Sequence, residues 1–141
     1  MKRIVFYILS LLCSIVCSCE KNAKRDLLIG SWEVTRGGTY RYLSPYQTEE
    51  QSVSPTTFYF TFEKDGHGKY FREGKPAEEF TYKYNGKDNT IDYQIEGKQY
   101  IWYIDLLTEE TIIFHGEYEY GYEGTELKVH CSYTYNGKRL K

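Results

Sequence analysis

Three histidines, four cysteines, 20 acids and 16 tyrosines are the side chains of this 141-residue chain that could do chemistry. Spacing removes most of it. A zinc site draws on Cys and His held a few residues apart, and His67, His115 and His130 have no such neighbour. His115 and His130 fall on consecutive segments of alternating pattern. With Phe114 and Val129 directed inward, both imidazoles face solvent near Glu117. Cys131 alternates with Val129 and Tyr133, which reads as a small apolar core residue, and no histidine shares its face to take its proton. The Gly-x-Ser-x-Gly nucleophile elbow is missing, and so is any Gly-rich phosphate loop. The acids fall in turns (Glu49, Glu50, Asp65, Glu109, Glu110) or on polar strand faces, so they read as solvated groups and not as a glycosidase pair. The expectation is a protein that is not an enzyme and uses neither metal nor cofactor.

The other cysteines lie at the N-terminus. Met1-Lys2-Arg3 is a short cationic start, and 4–16 is an apolar run of signal-peptide length, too short for a comfortable membrane span. Val16-Cys17-Ser18-Cys19 follows. This resembles a lipobox, with an aliphatic residue, a small residue and then the cysteine that takes lipid. The resemblance implies removal of 1–18 as a lipoprotein signal peptide and acylation of Cys19. Two or three acyl chains anchor stably where one is marginal. Cys13 and Cys17 would leave with the leader, so Cys131 has no disulfide partner in the chain. Glu20 is not the Asp that often retains such proteins at the inner membrane, so the expected place is the cell envelope, at the outer membrane, with periplasmic or surface orientation open. Lys2 and Arg3 would also leave, and the 20 acids then exceed the bases by four, a net charge of −4. Without clustered Lys and Arg, nucleic acid is excluded as a partner.

What positions these groups is a run of strands. Seven Phe, two Trp and 16 Tyr stand against a single Met, and broad side chains suit a pleated surface. Residues 19–26 read as a polar tether and 27–141 as one domain, with a helical turn near 26–29 leading in. Alternation predicts strands near 30–35, 57–63, 69–72, 80–85, 90–96, 99–107, 111–120 and 127–135. Turn signals stand between them, including Asp65-Gly66, a Gly97-Lys98 hairpin loop, and Asn136-Gly137 after the last strand. Between the first two strands, 37–56 reads as a long irregular connection, a length that is often functional. Its Tyr40, Tyr42 and Tyr46 are the expected contact residues of a lid. Short connections force antiparallel neighbours, and eight such strands suit an all-β, antiparallel up-and-down barrel.

The chain thereby resembles the small lipocalin-like lipoproteins of Gram-negative bacteria over about 115 residues, from Leu27 to Asn136. The resemblance is carried by Leu28-Ile29-Gly30-Ser31-Trp32, by Phe60-Thr61-Phe62 with Lys64-Asp65-Gly66 and Gly68, by Phe80-Thr81-Tyr82, and by Tyr103-Ile104-Asp105-Leu106-Leu107-Thr108. It implies that Gly30 and Trp32 plug the closed end of the barrel and that an arginine covers the tryptophan, for which Arg139 is the candidate. No helix fits after the last strand. The expected inward residues are Trp32, Val34, Phe58, Phe60, Phe62, Phe71 or Tyr70, Phe80, Tyr82, Tyr84, Ile91, Tyr93, Ile95, Ile104, Phe114, Val129 and Cys131. An eight-stranded barrel either fills with side chains or holds one small ligand. The expected function is binding of a small apolar or amphipathic ligand in or at the mouth of the barrel, oriented by Tyr82, Tyr84 and Tyr93 with the lid tyrosines. The alternative is a protein-interaction module with a filled barrel, an envelope accessory or an enzyme inhibitor.

Overall fold

A computed structural model describes residues 23–141; Cys19, its lipobox and the leader lie outside the described residues. A short helix, α1 (23–28), leads into eight strands: β1 (Gly30–Leu43), β2 (Thr48–Phe62), β3 (His67–Phe71), β4 (Glu78–Asn85), β5 (Thr90–Ile95), β6 (Lys98–Leu107), β7 (Thr111–Gly121) and β8 (Lys128–Arg139). Each strand pairs antiparallel with the next, and β8 returns to β1, so the sheet closes into an up-and-down barrel.

The alternation of apolar and polar residues produces this closure directly. On β4, β5, β7 and β8 every second side chain turns into the lumen; over 48–58 β2 has no ladder partner on its β3 side, and over 116–121 β7 has none on its β6 side. The packed core fills the half of the lumen near the start of β1. Phe60 lies at its centre, with the rings of Phe62, Phe80, Trp102, Phe114 and Tyr135 all within 6.3 Å of its own.

That end is closed. Trp32 and Leu28 are fully buried, and the indole N–H donates to the Leu28 carbonyl at 2.9 Å. The Arg139 guanidinium lies 4.2 Å over the Trp32 ring. It also donates to the carbonyls of Ile29, at 2.8 Å, and Leu27. One side chain from the last strand thus clamps α1 and the first strand together. Gly30 has φ of 131°, and a Cβ there would lie 2.4 Å from an Arg139 nitrogen. Only glycine meets both demands.

Three sequence expectations need correction. The connection over 37–56 is not a loop. β1 and β2 form one long hairpin paired from Gly30↔Phe62 to Leu43↔Thr48, with only Ser44–Gln47 as the turn. The turn is locked by the Ser44 hydroxyl, which accepts from the Gln47 amide at 3.0 Å. Pro55, which has no N–H to give a ladder, sits where the register shifts between Arg36 and Gly38. Second, Asn136-Gly137 does not end β8, which continues to Arg139. Gly137 faces inward, and a Cβ there would come within 2.8 Å of Ile112 and Val34. Third, the β5–β6 turn is Glu96-Gly97, one residue earlier than expected. Both have positive φ, as a two-residue primed turn requires.

Strand length divides the barrel into two walls. β1, β2, β7 and β8 are 14, 15, 11 and 12 residues long, whereas β3, β4 and β5 have 5, 8 and 6. The long strands rise past the short ones at the open end, and their inner face stands above the mouth.

Candidate functional site at the open end of the lumen

Above the packed half, the lumen holds a cavity of about 220 Å³. Tyrosine dominates its lining: Tyr70, Tyr93, Tyr100, Tyr118, Tyr133 and Tyr135, with Ile95 and the rings of Phe58, Phe60 and Trp102. Tyr93 stacks on Trp102 with ring centres 3.7 Å apart, which sets the side of the chamber.

The phenols on the tall wall are linked. Tyr133 donates to Tyr40 at 2.8 Å, and the hydroxyls of Tyr118 and Tyr133 are 3.2 Å apart. Each phenol has one proton. Tyr133 spends its proton on Tyr40, so Tyr118 must donate to Tyr133. The sequence Tyr118 to Tyr133 to Tyr40 then leaves the Tyr40 proton for an acceptor at the mouth. Burial pushes the Tyr118 phenol up to about 12 and raises Tyr133, Tyr93 and Tyr70 as well. All four are neutral at physiological pH and act as O–H groups. Tyr70 donates to the Glu78 carboxylate at 2.7 Å, and that contact adds to its upward shift.

One charged side chain lines this chamber among the described residues: Arg36 of β1. Its parity is that of Trp32 and Val34, so the strand carries it inward. The guanidinium carbon lies 4.7 Å from the ring centres of both Phe58 and Tyr133. Its Nε is buried without a hydrogen-bond partner. Arg36 is shared with a neighbouring depression of about 430 Å³ at the rim, which it lines with Phe58, Tyr70, Arg72, Lys75 and Glu78.

The six tyrosines expected at the site separate. Tyr93 lines the cavity, and Tyr40 reaches it through Tyr133. Tyr42 packs half-buried above, and Tyr46 is 96% exposed at the hairpin tip. Tyr82 and Tyr84 point toward the closed end. Their hydroxyls donate to the Glu63 carbonyl at 2.6 Å and to the Asn89 side chain at 3.1 Å, both in turns of that end. At β3, Tyr70 is the inward residue and Phe71 stacks outside on Tyr59. The expected inward list lacks Trp102, Tyr133, Tyr135, Tyr100, Tyr118 and Arg36. The signal was the same period of two: counting back from Ile104 reaches Trp102 and Tyr100, and counting on from Cys131 reaches Tyr133 and Tyr135.

Cys131 is fully buried, and burial raises its thiol pKa. His130 stands 3.7 Å from Glu117, while His115 pairs with Asp105 at 2.8 Å, both on the outer face. Among the described residues no group of three His, Cys, Asp or Glu gathers that could hold a metal, and no helix is long and apolar enough to cross a membrane. No protein-family model matches the chain, and no curated protein is significantly similar to it.

Proposed function

We propose that this chain is a lipocalin-like lipoprotein of the cell envelope, tethered through lipid on Cys19, that binds a small ligand in the open half of its barrel. The observation that supports this most is the aromatic chamber above a packed core, walled by neutral phenols at the end where the connections leave the lumen uncapped. Its volume narrows the ligand. Binding pockets for drug-sized molecules run to about 300–1,000 Å³, whereas an apolar cavity of about 150 Å³ takes benzene. A chamber of about 220 Å³ suits one ring with a substituent, or a short chain of similar bulk.

Two measurements test the two halves of the proposal. Cys19→Ala should abolish metabolic labelling by a fatty acid; label persisting on that variant would remove the lipoprotein half. Native mass spectrometry of the full chain, released gently from its own membrane, should detect one small molecule per chain. Ile95→Phe, which pushes a ring into the chamber, should lose it. Equal retention by both forms would place the molecule elsewhere and remove the lumen half.

A second reading is supported by a different feature. Tyr118, Tyr120 and Tyr122 remain 37%, 39% and 49% exposed along the tall wall, and tyrosine is enriched where proteins meet. On that reading the rising wall is a protein contact, and the partner is an envelope component or a secreted enzyme.

A further inference from the structure

We propose that the ligand of the lumen is a small organic monoanion, with its carboxylate on Arg36 and its apolar body in the aromatic chamber. This rests on the ligand-binding reading above and names the chemical class that reading leaves open.

Arg36 is the reason. A guanidinium drawn into an aromatic chamber loses hydration, and such charges normally carry a partner. The other arginines on the strands have theirs: Arg41 meets Glu50 at 3.0 Å, and Arg139 is spent on backbone carbonyls. No Asp or Glu among the described residues forms an ion pair with Arg36, and its Nε is buried and unbonded. Contact with the faces of Phe58 and Tyr133 offsets part of the lost hydration. It leaves in-plane N–H groups, which lie beside the Tyr135 phenol, and such groups grip a carboxylate in a two-pronged bond.

The surroundings favour the same sign. No acid lines the chamber among the described residues. At the rim, Arg72 and Lys75 join Arg36 against the single carboxylate of Glu78, and Tyr70 already donates to that carboxylate. The chain as a whole is acidic, with a net charge of −2. A positive lumen is therefore a local arrangement and not a reflection of overall charge, and it would draw a small anion inward.

The test uses the full chain in lipid nanodiscs, with empty discs as the blank, and isothermal titration with three one-ring probes of matched shape. These are phenylacetate, neutral phenylacetamide and cationic phenethylamine. Phenylacetate should bind about tenfold or more tightly than phenylacetamide, a ratio in keeping with hydrogen bonds to a charged group, and phenethylamine should bind least. In R36M, which keeps the bulk and removes the charge, the preference for the anion should vanish. R36K keeps a charge without the fork and should retain part of it. Equal binding of phenylacetate and phenylacetamide by the native chain would overturn the anion proposal while leaving the ligand-binding reading intact. Binding of none of the three would overturn both. The comparison of probes on the native chain stands even if R36M fails to fold.

Discussion

Replacing Arg139 by alanine should loosen the closed end of the barrel more than the loss of any other exposed-to-intermediate cation. In the native chain the guanidinium covers the Trp32 ring at 4.2 Å and donates to the carbonyls of Ile29 and Leu27. A partly buried cation–π contact contributes about 0.5–2 kcal/mol, and each hydrogen bond from a charged donor about 1.5–3 kcal/mol. With the Nε–H bond to the Glu109 carbonyl at 2.5 Å, these four contacts share one side chain and one rigid neighbourhood, so they do not add fully. A loss of about 2–4 kcal/mol is the consistent expectation. Near the melting point that is a fall of roughly 10 °C for a domain of this size. The assay is thermal or urea unfolding of the full chain in nanodiscs, followed by tryptophan fluorescence. R139K keeps the charge but lacks the planar fork, and should recover less than half of the loss. A change below about 1 kcal/mol for Arg139→Ala would refute the clamp and reduce the Arg–Trp stack to a surface contact.

Further outcomes follow from the same geometry. Trp32→Ala should cost roughly 3–5 kcal/mol, as large aromatic deletions in cores do; a loss under about 1 kcal/mol would mean that the ring does not plug the barrel. The chamber phenols Tyr93, Tyr118 and Tyr133 have folded pKa values above their ordinary value near 10, so the folded form holds protons that the unfolded form releases. Stability should therefore be complete below about pH 10 and fall as pH climbs toward the folded values, about 12 for Tyr118. Ultraviolet titration should find a group of tyrosines ionising only together with unfolding, and smooth ionisation of all of them near pH 10 would contradict this. Cys131 should resist iodoacetamide in the folded chain, because it is buried and its thiol is held protonated. It should react once Tyr40–Gln51 is replaced by a two-residue turn, since Tyr40 is its partner across the β1–β8 ladder. Equal reactivity in both forms would show that the hairpin does not cover it.

The parts of the fold that sequence made readable are those where one strand face is dry and the other wet. Phe80-Thr81-Tyr82-Lys83-Tyr84 and Ile91-Asp92-Tyr93-Gln94-Ile95 announce strands because the packed lumen imposes a period of two. The long hairpin escaped for the opposite reason. Over 48–57 its arm rises beyond the packed core, and apart from half-buried Val53 and Thr56 its residues are exposed. With no face buried, nothing imposes alternation, and Thr, Ser, Gln and Pro read as a loop although the backbone is paired. Gly37-Gly38 deepened the impression of a turn. Gly38 instead allows β8 to pass, because a Cβ there would lie 2.1 Å from the Ser132 carbonyl. Arg36 does not stand out in the sequence because charge reads as an outward signal. Its parity with Trp32 and Val34 said inward, and that conflict between residue type and position is what marks the candidate site. The volume of the chamber was not readable from sequence, since it depends on how Tyr93, Trp102 and Tyr133 lean against one another.

The central claim is that a small ligand enters the lumen beside Trp102. The two tryptophans allow a direct test, because Trp102 lines the chamber and Trp32 is sealed at the far end. The full chain in nanodiscs is titrated with 4-bromophenylacetate, whose heavy atom quenches an indole it touches. The account predicts saturable quenching of the Trp102 share of the emission only, abolished in Ile95→Phe. Quenching that rises linearly without saturating, and is the same in Ile95→Phe, would mean that the probe meets the protein only by collision and that the lumen is not a binding site.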